Sequence, residues 1–349
     1  LLELLFIVLT LGGIWMTLNN KRTLVHSDSR HREQHSLERI IMRFGVDAGA
    51  LQEAAQHHLS RPGKRTRAAL FFTALGAESQ VDAFAHAAAA IELVHEASLV
   101  HDDIQDETDL RRDQLTVWRK FGADTALLLG DHLIAASFSA LADSALPPAI
   151  KASLFSVHAR AISDAASGQH LQLDADIQQA ALLPTYRQIA EQKTGALLAL
   201  PLQFASLILS GREADTQRAL RCGQQLGLAY QILDDLKLFN NPSGLKSDPD
   251  IINRVVTAPV IAALQLAPQD DPFALIQAQP ERHNEIRGLC QGWLKQSIKR
   301  ASLNADHLPT SIADVVKAFI TLRLQPGLQL PATNAAAWRS GAFQGIEAV

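Results

Sequence analysis

The segment AAAAIELVHEASLVHDDIQD, residues 87–106, decides the fold class of this 349-residue chain. Most of its residues before His101 are apolar, and they do not alternate with polar residues as the residues of a half-buried strand would. We therefore predict a helix over Asp82–Asp106. Its apolar part, Ala87–Val100, should be buried, and its last turn carries a cluster of carboxylates.

The composition of the whole chain extends this prediction to an all-α fold. The chain is 47% hydrophobic but only 5% aromatic, and a chain dominated by Ala and Leu favours closely packed helices over a β-sandwich. No segment of the chain alternates convincingly with period two, and we find no internal repeat. We expect roughly ten helices in one domain over residues 37–325, with an apolar segment and polar link (1–36) before it and a tail (326–349) after it. The predicted helices begin near Leu37 and then span Ala48–Leu59, Arg67–Leu75, Asp82–Asp106, Thr125–Leu141, Pro148–Gln172, Pro184–Leu209, Glu213–Phe239, Pro259–Ala267, Arg282–Ala301 and Ser311–Leu324.

Charge and cysteine content bear on partners and compartment. The net charge is −4 and the pI is about 6.4, so we predict no nucleic-acid partner. Cys222 and Cys290 lie far apart and lack the spacing of metal ligands. This indicates a reducing compartment and no disulfide framework, and we predict a cytoplasmic protein.

The N-terminal segment is the one feature that points towards a membrane. Residues 1–18 are nearly all apolar and precede Lys21 and Arg22, and a helix of this length, at about 1.5 Å per residue, would just cross a core of about 30 Å. A cleaved signal peptide fits poorly because no basic region precedes the run. A membrane contact through residues 1–18 is one reading. The other two readings are a misassigned start of the sequence and a helix that packs on a partner protein.

The carboxylates of the opening segment point to a metal. Asp102 and Asp106 would share one helix face a turn apart, with Asp103 about 100° round. Such clustering is mildly destabilising on an ordinary helix, and a divalent cation relieves it because Mg²⁺ takes one or two carboxylates together with phosphate oxygens. The alternative is a solvated acidic face. We favour the metal because the preceding helix should be buried.

A second acidic pair, Asp234-Asp235, ends another apolar helix, and Gln231 lies one turn before Asp235. By itself the pair would be an ordinary helix terminus. Two buried helices that both end in carboxylates can hold a metal cluster between them. We therefore predict a metal-binding role for the second pair because the first pair is present.

Basic residues alternate with the acidic pairs along the chain. Each is by itself more often a surface charge, but together they suit two diphosphates, one held through metals and one held directly by Arg and Lys. The segment that begins at Gly63 also leads into a helix whose first N–H groups can bind an anion. The basic groups are Gly63-Lys64-Arg65-Thr66-Arg67, Arg111-Arg112, Lys193-Thr194-Gly195 and Lys246.

The order of these motifs resembles that of the trans-type polyprenyl (isoprenyl) diphosphate synthases, over roughly Leu37 to Leu324. The most specific parts are the segment from Leu99 to Asp106 and the sequence Asp109-Leu110-Arg111-Arg112, followed by Phe121-Gly122 and Gly130-Asp131. The segment Tyr230–Asp235 is similar to the family's second aspartate motif, and Gly63-Lys64-Arg65 and Lys193-Thr194 are similar to its two basic motifs. The resemblance implies an isoprenoid-synthase-type helix bundle around a central cavity, a homodimer, and magnesium-dependent joining of isopentenyl diphosphate to an allylic diphosphate.

The resemblance also implies roles for individual residues. Asp102 and Asp106 would ligate two Mg²⁺ ions with Asp103 in support, and Asp234, next to Asp235, would ligate a third. Arg111, Lys193 and Lys246 would bind the allylic diphosphate, with Thr194 beside Lys193, while Gln231 would lie near the reacting allyl group. The isopentenyl diphosphate would be held without a metal by Lys64, Arg65, Arg67, His95 and Arg112.

Several positions depart from the family pattern. Leu238, preceded by Lys237, stands where the second motif normally closes with Asp. Asp113 replaces a usual glycine after the arginine pair, Pro62 stands where a second glycine is common, and Asn253-Arg254 replaces a frequent Gly-Lys. These departures weaken the expectation of a standard third-metal site.

The residues one turn before the first motif predict the product length. Ala97 and Ser98 are small, and in this family a bulky aromatic at Ala97 stops the chain near fifteen carbons. We therefore expect geranylgeranyl or a longer product, unless Val94, Ile91 or a residue from another helix forms the floor of the channel.

Three alternatives stay open. The first is a farnesyl diphosphate synthase. The second is a terpene cyclase of the same fold. Its second motif would need Ser or Thr near Leu238 and Glu near Pro242, and we find neither there. The third is a non-catalytic subunit of a heteromeric synthase, although such a subunit would more typically lose the first motif.

Overall fold

The structure is a computed structural model, and it describes residues 34–61, 63–76, 81–174, 183–240, 245–246 and 248–328. The apolar run 1–18 with its predicted membrane contact, the departure at Pro62, and most of the predicted tail 326–349 lie outside the described residues.

The chain divides into two compact units. The first takes its residues from Leu1–Ile162, Leu200–Gln217 and Pro309–Val315. The second takes its residues from Ser163–Ala199, Arg218–Leu308 and Val316–Val349.

Helices account for nearly all of the described secondary structure. The exceptions are two-residue strands, β1 (Leu110–Arg111) and β2 (Gln114–Leu115), which pair antiparallel with Arg111 opposite Gln114. Short 3₁₀ turns lie at Gly49–Leu51, Leu236–Asn240 and Pro280–Arg282, and π turns at Glu191–Gly195 and Ile320–Leu324. In chain order the helices are α1 (34–46), α2 (Gln52–Leu59), α3 (Thr66–Leu75), α4 (Val81–Gln105), α5 (Val117–Phe121), α6 (Ala123–Ala142), α7 (Pro148–Asp174), α8 (Leu183–Ala190), α9 (Ala196–Leu209), α10 (Glu213–Asp235), α11 (Pro249–Ile252), α12 (Ala258–Leu266), α13 (Pro272–Ala278), α14 (His283–Ala305), α15 (Thr310–Phe319) and α16 (Gln325–Leu328).

The core of the first unit is built on α4. This helix packs against α3 and α6, and its residues 87–97 are all buried, as expected of a helix that is apolar around most of its circumference. The run of alanines at its start keeps its surface flat, so neighbouring helices approach closely. Burying a large apolar side chain such as Leu93 contributes about 1.5–3 kcal/mol.

The second unit depends on a close approach of α10 to the π turn before α9. Gly223 and Gly227 lie against the backbone of Ala199 and Gly195, and any Cβ at these glycines would overlap it. Leu226 and Ile232 of the same helix are fully buried. This contact brings the middle of α10 next to residues Lys193 and Thr194.

The predicted all-α class is confirmed, with differences at element ends and in short elements. The hairpin at residues 110–115 and the short helices α5, α11 and α13 were not predicted, because each is too short to show a helical period. The predicted helix Glu213–Phe239 is α-helical only to Asp235 and then tightens into a 3₁₀ turn.

Among the described residues, α6 is the one helix whose length and apolar composition would suffice to cross a membrane. It packs against α4 and α5 in the first unit. A mostly buried core helix can have the same length and apolar composition, so this helix is weak evidence for a membrane span.

Candidate active site

The first acidic motif occupies the last turn of α4 and the residue after it. The Asp106 N–H donates to the Asp102 carbonyl at 2.8 Å, which places these two residues one turn apart. Asp102 is half-buried and Asp106 is exposed, whereas Asp103 is buried. The three carboxylates therefore lie in different environments, and only the middle one is enclosed by protein.

Asp103 binds Arg111. The Arg111 guanidinium donates to both carboxylate oxygens, with Nε at 2.9 and 3.0 Å and Nη2 at 2.7 Å from Oδ1. A bidentate pair of this kind is among the stronger ionic contacts in proteins. The middle aspartate of the motif thus fixes the first arginine of the pair that follows it.

The second arginine, Arg112, lies in the turn of the β1–β2 hairpin. Arg112 and Asp113 both have positive φ, 54° and 59°, as the two central residues of a type I′ turn require. The Arg112 Nη1 donates to the Arg61 carbonyl at 2.8 Å, and the Arg61 Nη1 donates back to the Arg112 carbonyl at 3.0 Å. A Cβ added to Gly63 would lie 2.6 Å from Arg112 Nη2, so the guanidinium rests on the glycine backbone.

The arginine pair also lines a small cavity together with Asp103 and His58. Its volume of about 20 Å³ has room for one water molecule. Arg111 and Arg112 therefore face a common space within the first unit.

Arg65, at the start of α3, is buried and surrounded by carboxylates. Its Nε and Nη2 donate to the two oxygens of Glu38 at 2.8 and 2.9 Å, and its Nη1 donates to Glu96 at 2.6 Å. Burial alone would lower the pKa of Arg65, but Glu38, Glu96 and Glu92 raise it above its ordinary value. The charge of Arg65 is thus balanced within the protein.

The start of α3 is partly capped by a side chain. The Ala68 N–H donates to the Glu92 carboxylate at 2.7 Å, so this backbone donor, expected to be available to an anion, is already bonded. Burial raises the pKa of Glu92, although Arg65 and the Ala68 N–H lower it.

His95 and Arg67 are both buried beside this cluster. Burial and the nearby Arg67 hold the pKa of His95 well below its ordinary value, against the pull of Glu96, so the ring is neutral at pH 7. Its Nδ1 has no hydrogen-bond partner among the described residues. A buried ring nitrogen without a partner is suited to a bound ligand.

The second acidic pair, in the second unit, contains two very different carboxylates. Asp235 is buried and accepts from the Tyr186 hydroxyl, the Ala258 N–H and the Gln231 amide, each at 2.8 Å. Burial raises the pKa of Asp235 to about 6, although these three donors lower it. Asp234 is exposed and forms an ion pair with Lys237.

The π turn places the mid-chain basic motif beside α10. The Thr194 hydroxyl donates to the Gln231 amide oxygen at 3.3 Å, and the Lys193 ammonium donates to Gln172 at 3.1 Å. Single π turns inside helices are frequent at functional sites. The structure thus brings Thr194, Gln231 and Asp235 into one chain of hydrogen bonds. Lys246, the last of the predicted basic residues, is exposed in a short turn.

The three residues predicted to set product length lie in the first unit on α4. Val94 and Ala97 are buried, and the Ser98 hydroxyl donates to the His95 carbonyl at 2.8 Å. Leu238, at the position of the missing aspartate, is half-buried.

Comparison with known proteins decides the family. Residues 48–291 match the polyprenyl synthetase family. The chain belongs to this family. Component 2 of heptaprenyl diphosphate synthase from Geobacillus stearothermophilus is 32% identical over 242 residues, which cover 68% of this chain and 73% of that protein. The geranylgeranyl pyrophosphate synthase of Geoglobus acetivorans is 33% identical over 237 residues, covering 66% and 73%.

Solved structures agree with this assignment. The geranylgeranyl pyrophosphate synthetase from Geoglobus acetivorans aligns with a TM-score of 0.71 at 27% identity, covering 84% of this chain and 99% of that one. A decaprenyl diphosphate synthase from Rhodobacter capsulatus aligns with a TM-score of 0.68 at 25% identity, covering 85% and 98%. The resemblance to trans-type polyprenyl diphosphate synthases and the isoprenoid-synthase fold are confirmed, and the chain belongs to a family of prenyl-transferring enzymes.

The family is magnesium-dependent, and the donors of the polyprenyl synthetase motifs fit that ion. The described residues contain no group of three or more His, Cys, Asp or Glu side chains placed to hold a metal. Mg²⁺ does not require one, since it is usually held by one or two carboxylates and by substrate phosphates. Asp102 and Asp106 supply two such oxygen donors one turn apart, while at Asp234 an ammonium already neutralises the carboxylate.

Several side chains that contact predicted residues of this polyprenyl synthetase, without being among those predicted residues, were missed by sequence reasoning. Glu92 and Glu96 interrupt an apolar helix, and two charges in a buried helix were a signal that partners lie opposite them. Tyr186, one of only two tyrosines in the chain, and Glu38 gave no comparable signal. Their partners come from elements distant in sequence.

Proposed function

We propose that this protein is a magnesium-dependent trans-prenyltransferase. It would condense isopentenyl diphosphate with an allylic diphosphate, head to tail, to give a polyprenyl diphosphate of twenty carbons or more. The observation that carries the proposal is the end of α4. There Asp102 and Asp106 lie one turn apart outside the core, and Asp103 holds Arg111 beside them.

We assign the metal ligands as Asp102 and Asp106, with Asp234 as the ligand of a third ion. Bound Mg²⁺ would neutralise the negative charge of the allylic diphosphate as it leaves. Arg111 is held by Asp103 in a fixed orientation, so it can donate to the same diphosphate without reorganisation. Lys193 and Lys246 would add further cationic donors, and the Thr194–Gln231–Asp235 chain would orient the Gln231 amide at the reacting allyl group.

Isopentenyl diphosphate would be bound without a metal. Lys64, Arg67 and Arg112 supply the charge, and His95 supplies a neutral ring with an unpartnered Nδ1 among the described residues. Arg65 stays in the proposed set, but its guanidinium donors already bind Glu38 and Glu96. Its contribution would therefore be to hold the loop that carries Lys64.

The proposed product length depends on Ala97 and Ser98, whose small side chains would leave room next to the first motif, and on Val94, which would form the floor of the channel if the product were shorter. Relatives named for geranylgeranyl, heptaprenyl and solanesyl products agree with this choice. A farnesyl product and a terpene cyclase are less well supported, because none of these relatives is named for either.

A second candidate is a subunit of a heteromeric synthase. One relative is named as component 2 of a heptaprenyl diphosphate synthase, which implies a second component for that protein. We favour a self-sufficient homodimer because both aspartate motifs retain their leading carboxylates. We place it in the cytoplasm because Cys222 and Cys290 are buried, free thiols.

The proposal is tested by Asp102→Ala. Loss of this carboxylate should lower the condensation rate by about 1,000-fold or more, an order-of-magnitude expectation for a metal ligand. Circular dichroism should stay unchanged, because Asp102 is half-buried in the last turn of α4 and does not belong to the buried core. Asp306→Ala is the matched control, since Asp306 is an exposed carboxylate paired with Lys317 and lies outside the motifs, and it should keep wild-type rates. Near wild-type turnover in Asp102→Ala would overturn the metal assignment.

A further inference from the structure

Glu96 is a buried carboxylate that lies among the basic side chains of Arg65, Arg112 and His58. Its side chain is 1% exposed, in a stretch of α4 whose other buried residues are mostly Ala, Leu and Val. Removing a carboxylate from water is costly unless charged or hydrogen-bonding partners compensate. Its neighbour one turn earlier, Glu92, accepts from the Ala68 N–H at 2.7 Å and lies 3.9 Å from Arg65 Nη1.

Glu96 contacts three basic side chains from three different segments. Its Oε1 accepts from Arg65 Nη1 at 2.6 Å and from Arg112 Nη2 at 3.2 Å, and its Oε2 lies 2.9 Å from His58 Nε2. Burial alone would raise the pKa of Glu96, but His58, Arg112 and Arg65 outweigh it and hold the pKa well below its ordinary value. The carboxylate is therefore charged at every pH at which the protein would work.

One oxygen of Glu96 thus joins the loop before α3 to the hairpin turn. Arg112 has one further anchor at the Arg61 carbonyl and rests on Gly63. A guanidinium has five N–H donors in a rigid plane. Two contacts are enough to fix that plane, and they leave donors for a phosphate.

We propose that Glu96 is a positioning residue for the metal-free diphosphate. It would fix the Arg112 guanidinium between Gly63 and the start of α3, so that the remaining N–H donors are pre-oriented towards the diphosphate of isopentenyl diphosphate. This inference rests on the proposed function. Its physical basis is pre-organisation, because a flexible arginine must lose side-chain freedom on binding and a fixed one has already lost it.

The test is Glu96→Gln, with steady-state kinetics for each substrate. The amide keeps the shape of the side chain but loses the charge that holds two guanidiniums at one oxygen. We expect KM for isopentenyl diphosphate to rise about tenfold, while kcat and KM for the allylic diphosphate change less than twofold. An unchanged or lower KM for isopentenyl diphosphate would overturn the proposal, because Glu96 would then merely compete with the substrate.

Glu38→Gln is the matched control. Glu38 binds the same Arg65 through Nε and Nη2, but its contacts do not include Arg112. This variant should leave KM for isopentenyl diphosphate within twofold of wild type. An increase equal to that of Glu96→Gln would show that Arg65, and not Arg112, explains the effect, and the proposal would fail.

Gly63→Ala provides an independent displacement of Arg112. The added methyl would lie 2.6 Å from Nη2, so the guanidinium must move although Glu96 is intact. We expect the same selective rise in KM for isopentenyl diphosphate, and an unchanged KM would contradict the proposal even where Glu96→Gln fails to fold.

Calorimetric titration with isopentenyl diphosphate alone separates this inference from the proposed function. Wild-type binding with about tenfold weaker binding by Glu96→Gln would support both. Equal binding by the two proteins would contradict the positioning role only. A wild-type protein that neither binds nor consumes isopentenyl diphosphate would contradict both the proposed function and the positioning role.

Discussion

At the scale of single residues, burial divides the first acidic motif into two kinds of carboxylate. Asp103 is enclosed and bound to Arg111, whereas Asp102 and Asp106 lie outside the core. The family resemblance implied that Asp103 supports metal binding, and this role stays a prediction. The structure shows a different contact, in which Asp103 binds Arg111. The spacing alone could not reveal which partner it binds, because the hairpin that carries Arg111 has no periodic signal.

Ala97 offers the sharpest test of product length. It is buried on α4, five residues before Asp102, and a phenyl ring at this position would fill space beyond the first motif. Ala97→Phe should shorten the main product towards fifteen carbons, as checked by chromatography of the dephosphorylated products. Because overpacking a core can also cost about 1–3 kcal/mol, the unfolding free energy is measured in parallel.

Ala97→Ser is the control for this substitution, since it adds one oxygen atom but no ring. The serine variant should keep the wild-type product. An unchanged product from a folded Ala97→Phe would remove Ala97 from the set of length-determining residues.

At the scale of elements, the turn of the β1–β2 hairpin holds the Arg112 side chain in place with a strained backbone at Arg112 and Asp113. Asp113 has φ of 59° without being glycine, a conformation that costs L-residues roughly 1 kcal/mol. Asp113→Gly should therefore raise the free energy of unfolding slightly, by about 0.5 kcal/mol at most, because the added unfolded-state entropy of glycine offsets much of the strain that is relieved. Urea unfolding checks the change.

Asp109→Gly is the comparison for the hairpin. Asp109 has no positive φ, so glycine there relieves no strain. It should lower stability, because it adds unfolded-state freedom and removes the exposed ion pair with Arg119. A loss of stability in Asp113→Gly equal to that in Asp109→Gly would contradict the assignment of strain to the turn.

The helices were largely predictable, but the contacts between elements were not. α4 was recognisable because its apolar run has no strand period, and its observed bounds differ from the prediction by one residue at each end. The hairpin was not recognisable, because Arg112-Asp113 lacks the Asn-Gly or Asp-Gly signal of a type I′ turn. The partners of Glu96 and Asp235 were also beyond reach, since they come from segments far apart in the chain.

At the scale of the whole molecule, the buried histidine His158 should make stability depend on pH. The ring lies against Phe138 and Phe204 in the first unit. Ser137 donates to the Ile134 carbonyl, so its oxygen accepts from His158 Nε2 at 2.8 Å. A proton on Nδ1 would find no hydrogen-bond partner among the described residues.

Burial lowers the pKa of His158 from 6.5 to about 4. Between these values the unfolded chain binds the proton and the folded chain does not, so stability should rise with pH from about 4 to 6.5. The full effect would be about 3 kcal/mol. Urea unfolding of wild type and His158→Gln over this range should give a difference that grows with pH, and a pH-independent difference would contradict the assignment.

The central claim is that both diphosphates react on this chain with the help of Mg²⁺. Its most direct test is incubation of the purified protein with radiolabelled isopentenyl diphosphate, Mg²⁺ and a series of allylic primers. We expect labelled polyprenyl diphosphates of twenty carbons or more, and none when EDTA removes the metal. Hydrocarbons formed from primer alone, or no labelled product from any primer, would contradict the account.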